Sequence, residues 1–284
     1  MLNFRYHALS LVAVFLALAI GVVLGVAIGD KGIVSGARKE LEKSLRGDLS
    51  KARDRNADLA SQLGVRDGYE GKTYPALVTG LLRGNQVGLV AIGNLPNNYG
   101  SEVRDALRPT GARLASVSVV ASPLGLGGIA KDLGRQLFPH LQRSKRQLER
   151  FGRRIGHQLA TGGPLPRRVR GSLFSSSQGS FRRLDAVVLA RDRNGLDGKQ
   201  KAAEDAFEKG LIAGLKAAPV TLVGVEQQNT DPSQVGFFKD NEISTVDDLD
   251  LTAGHAALVY VLGGRHGNFG TGAGDLLPAR PRHP

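Results

Sequence analysis

Val87-Gly88-Leu89-Val90-Ala91-Ile92, followed by Gly93-Asn94-Leu95-Pro96-Asn97-Asn98, is the passage that decides the fold of this chain. An uninterrupted apolar run this short is too brief for an ordinary helix and suits a strand buried on both faces. The Gly/Asn/Pro run after it is turn chemistry. Residues 101–108 then read as a helix and residues 112–120 as a second strand. Strand, helix and strand make a βαβ unit, whose crossover is right-handed by strong default.

Toward the C-terminus the alternation continues. Gly125-Leu126-Gly127-Gly128 breaks the chain before a short helix at 129–137. Residues 142–159 form a basic helix whose apolar side is marked by Leu148, Phe151 and Ile155. Residues 161–166 and 172–180 have loop compositions. Residues 184–190 and 220–225 are two more apolar strands, separated by a helix at 199–215 with Ala202, Ala206, Leu211 and Leu215 facing inward. Residues 244–250 lead into a helix at 251–262, and Asp247, Asp248 and Asp250 suit its N-terminal cap better than a hard-cation site. Four apolar strands alternating with helices predict an α/β fold: a doubly wound, mainly parallel, three-layer domain.

Toward the N-terminus, residues 8–28 (ALSLVAVFLALAIGVVLGVAI) carry no charge, and Ser10 is the lone hydroxyl. A membrane crossing takes roughly 20 residues at ~1.5 Å each. Arg5, Tyr6 and His7 form a cationic and aromatic collar before it. A cleaved signal peptide is the alternative, with Gly25-Val26-Ala27 as its small-residue site, but its apolar core usually spans only about 7–15 residues. An uncleaved anchor is therefore expected. Gly21, Gly25 and Gly29 make a double G-x-x-x-G on one helix face, a spacing that lets two membrane helices approach closely.

The next segment repeats its apolar positions at helical period: Val34, Ala37, Leu41, Leu45, Leu49, Ala52, Leu59 and Leu63, with Asn56 in the same row. It reads as a helical stalk and suits a parallel coiled coil, with Asn56 setting register. A single amphipathic helix lying on its own domain is the alternative. Gly64 to Gly71 ends this helix, and a new short one starts near Pro75. The expected organisation is an anchor at 1–30, a stalk at 31–64, an α/β domain at 65–262 with a basic insertion at 135–183, and a Gly/Pro-rich irregular tail at 263–284.

Net charge is +12, and it is concentrated. Residues 135–183 hold twelve Arg/Lys, from Arg135 to Arg183, against the single acid Glu149. A solvated face usually interleaves both signs, so this segment suits an anionic surface, lipid headgroups or envelope polymer, with Arg150, Arg153 and Arg154 as its contact residues. Nucleic acid is not expected, because Phe151, Phe174 and Phe181 are too sparse for base stacking.

Catalytic chemistry has little to work with. The chain has no cysteine, which removes disulfides, thiolate nucleophiles and thiolate metal sites. No P-loop, G-x-S-x-G, H-E-x-x-H or dinucleotide fingerprint occurs. No catalytic residue is assigned and no enzyme is expected, although Asn94, Asn97 and Asn98 stand where ligands bind in this fold class. Of His7, His140, His157, His255, His266 and His283, none lies three or four residues from another. His255 and His266 are the pair that could converge on a metal.

Three blocks stand out together: Arg5-Tyr6-His7-Ala8-Leu9-Ser10-Leu11 running into the apolar span; the unit from Val87 to Val120; and Ser244-Thr245-Val246-Asp247-Asp248-Leu249-Asp250 with Ala253-Gly254, Ala257-Leu258-Val259-Tyr260, Gly267-Asn268-Phe269-Gly270 and Leu276-Leu277-Pro278. In these blocks the chain resembles the actinobacterial copper transport protein B (MctB) family. The basic segment carries the least likeness. The resemblance implies a membrane-anchored envelope protein tied to copper transport or homeostasis, with copper as the one metal it brings in. It also implies an exported domain, whereas Lys31, Arg38, Lys39, Lys43 and Arg46 beyond the span, against Arg5 before it, favour the cytoplasm. Long domains obey that rule poorly, and the extracytoplasmic side is expected. Copper(I) favours thiolate and thioether ligands, and this chain offers Met1 alone. The runner-up reading is thus a non-catalytic envelope scaffold or binding module with no specific copper site.

Overall fold

The computed structural model describes residues 4–28, 31–93, 98–134, 140–141, 143–192 and 198–272. The chain divides into two compact units, Met1–Arg66 and Asp67–Pro284.

The first unit contains α1 (Phe4–Ile28) and most of α2 (Lys31–Val78). Among the described residues, Tyr6–Val26 of α1 is the one stretch long and apolar enough to cross a membrane. Nothing lies within 4 Å of a Cβ placed on Gly21 or Gly25, and Gly29 lies outside the described residues. On α2, Leu41, Leu45, Leu49, Leu59 and Leu63 are 49% to 60% exposed, so these leucines have no full cover among the described residues.

The expected break between stalk and domain is absent: α2 runs through Gly64, Gly68, Gly71 and Pro75. Glycine costs a helix only about 1 kcal/mol each, and tertiary contacts hold the last turns. Tyr74 and Val78 are buried, and the Tyr74 hydroxyl donates to the Ala106 carbonyl at 2.5 Å.

The second unit is built on a sheet of β1 (Gln86–Gly93), β2 (Arg113–Val120), β3 (Phe174–Gly179), β4 (Ala186–Asp192), β5 (Thr221–Val225), β6 (Ser244–Val246) and β7 (Asn268–Phe269). Their order is β3-β2-β1-β4-β5-β6-β7, and every neighbouring pair is parallel except β2–β3. The fold is mixed α/β with a mostly parallel sheet, and all four apolar runs are strands within it. Residues 172–180 are not a loop, since β3 pairs antiparallel with β2 at the sheet's edge. Its serine-rich run carries no apolar strand signal, and pairing alone makes it a strand. Residues 244–246 and 268–269 likewise pair as β6 and β7 rather than serving as a helix cap and an irregular tail.

The helices of this unit are α3 (Tyr99–Leu107), α4 (Leu126–Leu133), α5 (Lys145–Thr161), α6 (Leu165–Arg168), α7 (Arg170–Leu173), α8 (Gly198–Lys216), α9 (Val235–Asp240) and α10 (Thr252–Leu262). Gly127 and Gly128 fall inside α4 rather than breaking the chain before it. Successive strand residues enter two different cores, as a pleat requires. Val90, Ile92, Val187 and Leu189 pack with α4, α5 and α8, whereas Val87, Leu89, Ala186 and Val188 pack with α3, α10 and the end of α2.

The tightest contact in the first core is between helices. A Cβ on Gly152 or Gly156 of α5 would sit 2.1 Å from the carbonyl oxygens of Phe207 and Leu211. A Cβ on Gly210 or Gly214 of α8 would sit 2.0 Å from those of Glu149 and Arg153. The two backbones therefore touch through a reciprocal pair of G-x-x-x-G motifs. Gly156→Ala should destabilise the domain by about 1–3 kcal/mol, the usual cost of overpacking. Gly171→Ala, where a Cβ meets nothing within 4 Å, should be neutral. Parallel thermal melts of the two variants check this, and equal melting temperatures would refute the backbone contact.

Candidate functional site

In an open parallel sheet ligands bind beyond the strand C-termini, where the strand order reverses. Here that point is between β1 and β4. β1 ends at Gly93, whose φ of 93° suits glycine. Asn94 and Asn97 lie outside the described residues, as do residues 193–197 after β4. Asn98 makes no side-chain cap; its carbonyl accepts from the Ser101 amide at 2.9 Å and hydroxyl at 2.6 Å.

Around this edge the domain gathers buried charge. Arg191, at the end of β4, pairs through Nε with Glu208 of α8 at 2.5 Å. Its guanidinium stacks 3.9 Å from the centre of the Phe237 ring and donates to Gln234. Glu204, one turn before Glu208, accepts from the Ser122 hydroxyl and the Leu124 amide, each at 3.0 Å. Glu226, just past β5, accepts from the Ser233 hydroxyl at 2.8 Å and the Gln234 amide at 2.5 Å. Glu204 and Glu226 thus each hold a loop, while Glu208 ties α8 to the end of β4. None of these residues was singled out from sequence. The signal was present in α8, where Glu204 and Glu208 fall on the same helical face as the buried Leu211 and Leu215.

The sequence blocks 244–250 and 267–271 meet at the far side of the sheet. β6 and β7 pair in parallel, and Asp248 accepts from the Thr271 amide at 2.6 Å and hydroxyl at 2.9 Å. Asp250 accepts from the Gln228 amide at 2.7 Å. The expected helix cap is therefore corrected: Leu251 occupies the N-cap of α10 with no side-chain bond, and the aspartates brace neighbouring loops. A Cβ on Gly270 would fall 1.1 Å from the Asp247 carboxylate, so only glycine fits over it.

His255 and His266 lie toward opposite ends of α10. His255 is one turn into the helix, with Nε2 3.2 Å from Glu102 and its ring 6.0 Å from that of Tyr74. His266 is exposed beyond the helix's C-terminus. His140 is exposed, His157 lies on α5, and His283 lies outside the described residues. Among the described residues, no group of three or more His, Asp or Glu is placed to hold a metal ion. Arg150, Arg153 and Arg154 lie exposed along α5, and Arg135 lies outside the described residues.

Burial raises the Glu226 carboxyl above its ordinary value; the amide and hydroxyl bonds from Gln234 and Ser233 oppose this, and the nearby Asp247 charge adds to it. A carboxyl raised in the folded state favours folding below its unfolded value of 4.5 and loses that contribution as pH rises through the folded value. Glu226→Gln should therefore gain stability relative to the parent between acidic and neutral pH. Melting curves at both values test it, and a difference that does not change with pH would count against a strained ionised Glu226.

A family model described as "Copper transport outer membrane protein, MctB" matches residues 1–161 and 167–278. Proteins named "Copper transporter MctB" from Mycobacterium bovis and Mycobacterium tuberculosis are 24% identical over 312 aligned positions, covering 97% of this chain and 98% of theirs. The matched residues take in the apolar helix, the whole sheet and the segment from Asp247 to Thr271 with α10 and β7, so the chain belongs to the MctB family of copper transport proteins.

Proposed function

We propose that the protein is a single-pass, membrane-anchored envelope protein of copper transport or homeostasis, with its α/β domain outside the cytoplasm and no catalytic role. One observation carries this reading: the family match starts at residue 1 and includes the apolar helix as well as the domain. Copper is cargo here, and no resident cofactor is assigned. The strand order and the two cores support a doubly wound, three-layer domain. The uncovered leucine row of α2 supports a coiled-coil stalk, since an apolar stripe of that length is stable in water when a second helix covers it.

The runner-up is an envelope scaffold or binding module with no specific copper site. Its support is the donor set: no cysteine, one methionine, and histidines that join no cluster among the described residues. Copper sensitivity of a deletion strain separates the two readings, because only the first predicts a change.

Two outcomes follow for the purified full-length protein. Calorimetric titration with copper should find no sub-micromolar site. Such a site, if lost in the His255→Ala, His266→Ala double variant, would overturn the donor-set argument. Chemical cross-linking in membranes should capture a homo-oligomer through span and stalk. Gly25→Ile should weaken it, and an undiminished yield would remove the glycine face from the interface.

A further inference from the structure

We propose that the groove between α5 and α8 is a docking site for a linear, phosphate-bearing polymer of the envelope. This stands apart from the copper reading and narrows the basic segment to one face of one helix.

Arg146, Arg150 and Arg153 follow one another at four- and three-residue steps, so they share a face of α5, and Arg154 adjoins it. Gly214 of α8 and Ala217, just past its end, present no bulk opposite them, leaving an open groove of about 690 Å³. The glycine contact between the helices thus makes the recess as well as the packing. Among the described residues, Glu149 is the one acid of the lining, and Lys209 faces it at 3.5 Å. Among the described residues, none of the four arginines has a carboxylate partner. Other arginines of the same segment are engaged: Arg167, Arg168 and Arg170 donate to the carbonyls of Phe181, Asp132 and Ser177.

The chemistry selects the occupant. The cations of the α5 face are all arginine, whose planar fork matches phosphate oxygens two at a time. From Arg146 to Arg154 the helix advances about 12 Å, more than a single phosphate spans, so the matching ligand repeats its charge. A bilayer is the poorer fit. An interfacial helix inserts its apolar face, and the apolar face of α5, with Leu148, Phe151 and Ile155, is buried in the core. Nucleic acid is also the poorer fit, because among the described residues no Phe, Tyr or Trp lines the groove for bases to stack on.

The test uses the full-length protein in nanodiscs of neutral phosphatidylcholine and a poly(glycerol phosphate) chain as probe. Binding should fall steeply with salt, as counterion release requires. The triple variant Arg150→Gln, Arg153→Gln, Arg154→Gln should weaken it by about tenfold or more. Arg143→Gln, Arg182→Gln, Arg183→Gln removes the same charge from exposed positions outside the groove and should leave binding unchanged. Ala217→Glu, at an exposed position, should weaken binding with an unaltered melt. Equal losses in the two triple variants would overturn the site in favour of diffuse charge. So would affinity no better than for inorganic phosphate, or tighter binding to phosphatidylglycerol vesicles or to single-stranded DNA of equal charge.

Discussion

Backbone touches backbone where Gly152 and Gly156 of α5 meet Gly210 and Gly214 of α8, and the rest of the domain is arranged around that contact. With no Cβ in the way, the helices pack at a distance that side chains would forbid. Dispersion then acts over the whole length of the pair, and close-packed interiors draw their cohesion from such contacts. Phe151 and Phe207 sit beside the glycines with ring centres 5.6 Å apart and fill what the glycines leave open. The apolar side of α5 is thereby committed to the core, which forces its arginines to the outside. The same constraint fixes α8, whose inward acids then reach the strand ends.

Those acids show how the domain tolerates charge in its interior. Glu208 is 4% exposed, a burial that a carboxylate cannot afford alone. Arg191 answers it with a charge-assisted bond while resting on Phe237, so both ions keep partners. Glu226 is the less balanced case. It accepts good hydrogen bonds yet keeps a raised proton affinity, because desolvation outweighs them. The strand C-termini of this sheet are thus partly closed by the chain's own polar groups, which brace the loops from residue 226 to residue 234.

Four strands, the N-terminal apolar helix and the main helices were legible because each is a continuous apolar run or a clean helical stripe. What was not legible has local causes. β3 is serine-rich and exists through its pairing with β2; β6 and β7 are three and two residues long and carry no period of their own. Pro75 and three glycines read as a stop, and burial of Tyr74 and Val78 overrode them. The G-x-x-x-G spacing stands out in α1, where a Cβ on Gly21 or Gly25 meets nothing among the described residues; the same spacing in α5 and α8 brings two helix backbones into direct contact. Glu204 and Glu208 are legible only through the helical face they share with Leu211 and Leu215, and Arg191 has no such signal. The basic stripe was legible as charge alone, because the recess beside it depends on Gly214 and Ala217 lying across from it in space.

The family description speaks of an outer membrane, and the physics of this sheet bears on how such a protein meets lipid. A membrane barrel closes on itself with antiparallel strands of about 9–11 residues, apolar toward lipid and polar toward the lumen. The sheet here runs parallel across five of its six pairings, ends at β3 and β7, and has no strand longer than eight residues among those described. Both of its faces carry apolar side chains, and helices cover each. Exposing either face to lipid would mean stripping away α3 and α10, or α5 and α8, together with the cores they complete. The sheet is therefore not built as a membrane barrel, and among the described residues the one stretch long and apolar enough to cross a membrane is Tyr6–Val26.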